Sequence, residues 1–172
     1  MNATSERLTD SLPDLHRYAG LGRKRMSTTL NRVALGMRTA PRVQDPDHAL
    51  AQLSGSSQIL ALCHGNICRS PLAARLFRTR LRDRGIDDVS IESAGFVERD
   101  GRSSPAAAIE AAEAFGIDLS EHASTHATED LLQASDLILL MDAYNYTLLR
   151  RNHRERVQKA CFLKSFTDGD DY

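Results

Sequence analysis

Residues 59–71 read ILALCHGNICRSP: an apolar run, Ile59-Leu60-Ala61-Leu62, passes directly into Cys63-His64-Gly65-Asn66-Ile67-Cys68-Arg69-Ser70 and then Pro71. A short continuous apolar run suits a strand covered on both faces. Proline in the first turn of a helix is harmless, because that N–H has no partner in any case. The stretch therefore predicts a strand, a tight loop and a helix in immediate succession. A cysteine in such a loop faces the positive end of a helix dipole, with Arg69 six residues on, and both favour thiolate over thiol. The five intervening residues can curl so that their backbone N–H groups converge on one anion. Gly65 is expected to supply the backbone freedom that the curl demands. Arg69 adds a planar fork that grips two oxygens of a phosphate. A thiol nucleophile, an oxyanion cradle and a guanidinium together suit the transfer of a phosphoryl group onto sulfur.

Working outward, the chain from Gln58 alternates strand and helix. Pro71 opens a helix with Leu72, Leu76 and Leu81 expected to face inward and Arg75, Arg78 and Arg82 outward, ended by Gly85. Val89-Ser90-Ile91-Glu92-Ser93 alternates as a second strand. Pro105 starts a helix with Ile109, Ala112 and Phe115 on one face, stopped by Gly116, and Thr128 caps a brief helix through Gln133. Leu137-Ile138-Leu139-Leu140-Met141 reads as a buried strand, a helix with Tyr146 and Leu149 follows, and Ala160-Cys161-Phe162-Leu163 reads as a last strand. Such alternation implies a parallel sheet with right-handed crossovers. Ligands bind at the carboxyl ends of such strands, which is where Cys63 stands.

The chain has 172 residues, about one domain's worth, with 22 Lys+Arg against 23 Asp+Glu. That balance argues against a nucleic-acid binder, which needs a basic surplus. No apolar run approaches the roughly 18–20 residues of a membrane span, and MNATSERLTDSL lacks the apolar stretch of a secretory signal. Three cysteines do not suggest a disulfide framework, and the expected compartment is the cytoplasm. The charge is uneven: residues 1–57 carry a formal +3 and the remainder −4. Leu8, Leu12 and Leu15, and then Met26, Leu30, Val33, Ala34 and Met37, recur at helical spacing. Pro41, Pro46 and Ser54-Gly55-Ser56-Ser57 read as linker. The expected division is a basic, partly helical extension and linker over 1–57 and a catalytic domain over 58–172. A helix pair packed on that domain is the other reading of the first segment. Arg23-Lys24-Arg25 reads as a solvated run.

Beyond CHGNICRSP, the chain shows Ser93-Ala94-Gly95 after the second strand and Gly116-Ile117-Asp118 with His122 shortly after. Ala134-Ser135-Asp136-Leu137-Ile138 then leads to Met141-Asp142 and Asn145. In these motifs the sequence resembles the low-molecular-weight protein tyrosine phosphatases, over about Ile59 to Leu163, roughly three-fifths of the chain. The resemblance implies a three-layer α/β/α fold with a four-stranded parallel sheet, metal-free chemistry without a cofactor, and a phosphocysteine intermediate. It implies that Cys63 and Arg69 are catalytic and that His64, Gly65, Asn66, Ile67, Cys68 and Arg69 bind the phosphate. Ser70 would donate to the thiolate, and Asn66, Ser93 and His122 would hold the loop in shape. The implied partner is a phosphotyrosine-containing protein, by analogy with bacterial relatives a tyrosine autokinase.

Members of that family carry a late Asp-Pro-aromatic loop, whose Asp protonates the leaving oxygen, and a closing helix. The only Asp-Pro here is Asp45-Pro46, ahead of the expected domain. The expectation is therefore a domain truncated at its C-terminus, with its apolar sheet face covered by the N-terminal extension. The general acid is then absent, at a cost on the order of 10²–10⁴ in rate, or replaced by Asp168, Asp170 or Asp171.

Several residues also have plain structural readings. Ser93 suits a strand-end turn and His122 a surface position. Asp142 suits a helix cap, Cys161 core packing, and the arginines of the first helix a solvated face. Cys68 fits either a small core site or a reversible disulfide with Cys63. Two other functions are compatible with the loop. One is a phosphate- or phosphotyrosine-binding module without turnover. The other is a thioredoxin-coupled arsenate reductase, disfavoured because no cysteine lies between Ser93 and Met141.

Overall fold

Four strands and five helices alternate along the described part of the chain: α1 (Pro46–Ala51), β1 (Ser57–Cys63), α2 (Arg69–Asp83), β2 (Val89–Gly95), α3 (Ala106–Glu113), α4 (Glu129–Ala134), β3 (Leu137–Leu140), α5 (Ala143–Asn152) and β4 (Ala160–Phe162). Short 3-10 turns at Arg154–Lys159 and Leu163–Phe166 flank β4. This computed structural model describes residues 44–51, 53 and 56–166. The two helical patterns expected in residues 8–37, and Asp168, Asp170 and Asp171, lie outside the described residues. No helix among the described residues is long and apolar enough to cross a membrane.

The sheet runs β2-β1-β3-β4, and every pair is parallel. Because strand side chains alternate, β1 divides its residues between two cores. Ile59 and Ala61 join Ile91, Leu137, Leu139 and Cys161 beneath α2. Leu60 and Leu62 join Ala94, Ile138, Leu140, Leu132, Tyr146 and Leu149 beneath α4 and α5. The central strands are covered on both faces, so β1 and β3 read as unbroken apolar runs.

Local signals end the helices where expected. Gly85 and Gly116 take φ of 64° and 69°. The next residue then closes each helix with a bond back to a helical carbonyl, Ile86 N–H to Leu81 and Ile117 N–H to Ala112. The Thr128 hydroxyl accepts from Leu131 N–H, capping α4.

Two expectations are corrected and one is refined. Asp45-Pro46 is a helix start, not linker: the Asp45 carboxylate accepts from the backbone N–H groups of Asp47 and His48, at 3.1 and 3.4 Å, with Pro46 at the first helical position. The helix so begun places Ala49 and Leu50, with Leu53 after it, in the core beneath α2, and Gln44 N–H donates to Ala160 C=O in β4 at 2.8 Å. The folded unit therefore includes residues ahead of Gln58. Second, Leu72 and Leu76 face inward, but into a separate cluster at α3 and not onto the sheet. They pack with Ile109, Ala112, Phe115, Ile117 and Leu119, while the smaller Ala73 and Ala74, with Phe77 and Leu81, sit over the strands. Third, two of the supposedly solvated arginines are tied down: Arg75 donates to the Asp118 carbonyl and Arg78 to the Ile91 carbonyl, each at 2.6 Å.

Leu53 is completely buried among these residues. Leu53→Ala is expected to lower the unfolding free energy by about 2–5 kcal/mol, measured by urea denaturation. A loss under about 0.5 kcal/mol would show that residues 44–53 are not part of the cooperative unit.

Candidate active site

The loop between β1 and α2 wraps the β1 end so that Cys63, only 3% exposed, lies at its floor. The Cys63 Sγ accepts from Asn66 N–H at 3.2 Å and from the Ser70 hydroxyl at 3.1 Å. Ser70 also lies 3.3 Å from the Ala94 carbonyl, but it has a single proton. The sulfur is the nearer of its two acceptors, at 3.1 against 3.3 Å. The Asn66 amide donates to Ser70 Oγ at 2.9 Å, which orients the hydroxyl toward its acceptors. The α2 N-terminus carries no side-chain cap, so its first N–H groups remain available to an anion.

Asn66 carries the strain of the curl. Its φ of 50° lies in the left-handed region, where Gly65 was expected to be needed. Asparagine tolerates this region better than most residues, and here the side chain is anchored at both ends: Nδ2 on Ser70 and Oδ1 accepting from Thr125 N–H at 2.7 Å. The glycine with a steric role is Gly95. A Cβ on it would stand 2.7 Å from the Asn66 nitrogen and 2.8 Å from the Gly65 carbonyl carbon, so β2 can meet the loop this closely only without a side chain. A Cβ on Gly65 would meet the Arg102 guanidinium and the Ile67 side chain, both at ordinary contact distance.

The loop carbonyls point outward and each of the first three meets a donor. His64 C=O accepts from Phe96 and Val97 N–H at 2.9 and 3.2 Å, and Gly65 C=O from Arg102 Nη2. Asn66 C=O lies 2.7 Å from His122 Nε2, and since a carbonyl only accepts, that nitrogen carries the proton. Ser93 makes no side-chain hydrogen bond to the loop among the described residues. Its neighbour Ala94 contributes instead, through its carbonyl.

The first turn of α5 forms the opposite wall. Asp142 caps that helix, accepting from Asn145 N–H at 2.8 Å, and its second oxygen forms an ion pair with Arg69. Capping is thus half its task; the other half is holding the Arg69 guanidinium. The buried Asn145 amide accepts from His64 N–H at 3.2 Å and donates to Asp142 at 3.3 Å. Tyr144, 41% exposed and the one exposed large apolar side chain among the described residues, meets the His64 ring edge-on with centroids 5.4 Å apart. Phe96 turns away to pack on the core beneath α4 and α5.

Cys63, Cys68 and Cys161 are free thiols. Burial, and then the neighbouring Cys63, push the Cys68 thiol up, with Arg69 opposing. Cys161 sits within β4, where burial and then Asp45 push it up to about 11. Neither environment makes a second ready nucleophile.

Sequence reading found Cys63, Arg69, Ser70, Asn66 and His122, which the fold brings together. It missed Arg102. Gly101, with φ of 74°, signals a turn there, but nothing local shows that the turn delivers Arg102 to a carbonyl 37 residues earlier.

The family described as "Low molecular weight phosphotyrosine protein phosphatase" matches residues 58–171. A Ralstonia nicotianae protein described as "Probable low molecular weight protein-tyrosine-phosphatase EpsP" is 39% identical over 95 residues, covering 55% of this chain and 62% of that protein. The chain thus spans less than two thirds of that relative's length. The "Protein-arginine-phosphatase" of Bacillus subtilis is 33% identical over 112 residues, 64% of this chain and 73% of that protein. The crystal structure of a low molecular weight protein tyrosine phosphatase from T. tengcongensis superposes with a TM-score of 0.59 at 30% identity, covering 67% of this chain and 78% of that one.

Gly95→Ala is expected to push the loop off its position and weaken inorganic phosphate binding by about tenfold to a hundredfold, the scale of one lost hydrogen bond to a charged group. Calorimetric titration checks this, and unchanged affinity in a folded variant would remove Gly95 from the account of the site.

Proposed function

The chain belongs to the low molecular weight phosphotyrosine protein phosphatase family, and from that premise we propose that it hydrolyses phosphotyrosine in proteins through a phosphocysteine on Cys63. The observation that carries this reading is the Cys63 sulfur held by two donors, the Asn66 N–H and the Ser70 hydroxyl, at the floor of the loop, with Arg69 at the rim.

In the first step the sulfur lone pair attacks phosphorus, in line with the aryl oxygen. The P–O bond breaks and the oxygen leaves with the electron pair, taking up a proton from solvent water. The loop N–H groups and Arg69 offset the charge on the three remaining oxygens, the placement that contributes most to such transfers. Water then attacks phosphorus, the S–P bond breaks, and the sulfur recovers its electron pair, assisted by Ser70. Inorganic phosphate leaves. Gly65, Asn66, Ile67 and Cys68 contribute to this cradle mainly through backbone groups, whereas the backbone N–H of His64, expected to join them, is engaged by Asn145.

The depth of Cys63 and the His64–Tyr144 ring pair at the mouth support a long aromatic phosphoester over phosphoserine. The analogy drawn from the sequence points further to a tyrosine autokinase as the phosphoprotein. Free thiols fit a reducing compartment, the cytoplasm. The Bacillus subtilis relative supports a second reading, hydrolysis of phosphoarginine at the same sulfur.

Rapid quench with an aryl phosphate is expected to show a burst of phenol stoichiometric with enzyme and phosphate trapped on Cys63, and Cys63→Ser is expected to abolish both. Turnover that survives Cys63→Ser would sink the assignment, and phosphate binding without a burst would leave a binding module. Between peptide substrates, kcat/KM is expected to favour phosphotyrosine; a preference for phosphoarginine would establish the second reading.

A further inference from the structure

We propose that Arg102 is a positioning residue for phosphoryl transfer, acting on the Cys63 sulfur through the Gly65–Asn66 peptide. The inference rests on the phosphatase reading and assigns a role to a side chain outside the loop motif. A trans peptide is planar, so its C=O and N–H point in opposite directions. Arg102 Nη2 donates to the Gly65 carbonyl. The other end of that same peptide is the Asn66 N–H, which donates to Cys63 Sγ at 3.2 Å. Holding the carbonyl outward therefore aims the N–H inward, and a cationic donor on the carbonyl polarises the peptide so that its N–H donates more strongly.

The guanidinium is built in rather than draped over the surface. Its Nε donates to the Arg99 carbonyl at 3.2 Å. The Arg102 backbone is locked to Ser124, donating to its hydroxyl at 3.1 Å and accepting from its N–H at 2.9 Å, and Gly101 N–H donates to the Ser124 carbonyl at 2.8 Å. The guanidinium stands 3.6–3.7 Å from where a Gly65 Cβ would lie, in ordinary packing contact with the loop. Among the described residues no carboxylate pairs with it, whereas Arg69 is engaged by Asp142. Its charge is thus directed at the loop, where a dianion would add to the benefit.

Three variants separate geometry from charge. Arg102→Met removes donor and charge, Arg102→Gln keeps a donor, and Arg102→Lys keeps the charge and a donor. The measurements are the single-turnover rate of phosphocysteine formation, the affinity for inorganic phosphate at two ionic strengths, and the melting temperature. Arg102→Met is expected to slow phosphocysteine formation and weaken phosphate binding by about tenfold to a hundredfold, the range for a lost charge-assisted hydrogen bond. Arg102→Lys is expected to recover most of this at low ionic strength and Arg102→Gln less. An Arg102→Met protein that matches wild type in rate and affinity overturns the inference while leaving the phosphatase reading intact. So does a loss that tracks a fallen melting temperature and is not relieved by lysine. A wild type that neither binds phosphate nor forms phosphocysteine overturns both.

Discussion

Everything around the site answers to one constraint: a loop that binds an anion with its N–H groups must turn its carbonyls outward, and each outward carbonyl needs a donor. An unpaired buried carbonyl costs about as much as the hydrogen bond it lacks. The donors come from three separate places. Phe96 and Val97 follow β2, Arg102 lies on the next turn, and His122 follows α3. The segments that look like connections between elements are thus the outer wall of the active site. Gly95 is the other half of the constraint, since β2 must come close enough to deliver those donors.

The polar groups are arranged to keep the Cys63 sulfur and the Arg69 guanidinium in register. Two cysteines flank the loop, yet only Cys63 receives both a backbone N–H and a hydroxyl at its sulfur. Cys68 is opposed by burial and by the neighbouring sulfur. Arg69 at the rim, half exposed, would sample many orientations on its own. Asp142 limits them, and Asp142 is itself held by the helix it caps and by Asn145. The same asparagine bonds His64 N–H, so the first turn of α5 joins the guanidinium to the start of the loop.

Much of this was legible along the chain because the signals are local. Apolar runs marked β1 and β3, Gly85 and Gly116 marked helix ends, and Thr128 marked a cap. The misreadings and omissions share one cause. Asp45-Pro46 looks like a linker until its helix has a core to bury Leu50 and Leu53. Leu72 and Leu76 read only as inward-facing until α3 offers them a surface separate from the sheet. Gly65 looked like the residue bearing the unusual backbone angle, and Asn66 bears it, because anchors on Ser70 and Thr125 hold the asparagine there. Each depends on a partner far away in the chain.

The sequence by itself determined the alternation of strands and helices, the loop that runs from Cys63 to Arg69 between a strand and a helix, and the family. Those follow from periodicity and from spacing within a few residues, where backbone geometry leaves little choice. Tertiary structure alone decided that Arg102 reaches Gly65, that Asp142 holds Arg69 as well as capping a helix, and that Ser93 gives way to the Ala94 carbonyl. Those contacts join residues from 24 to 73 positions apart. Their geometry is set by how the crossovers pack on the sheet, which no local pattern encodes.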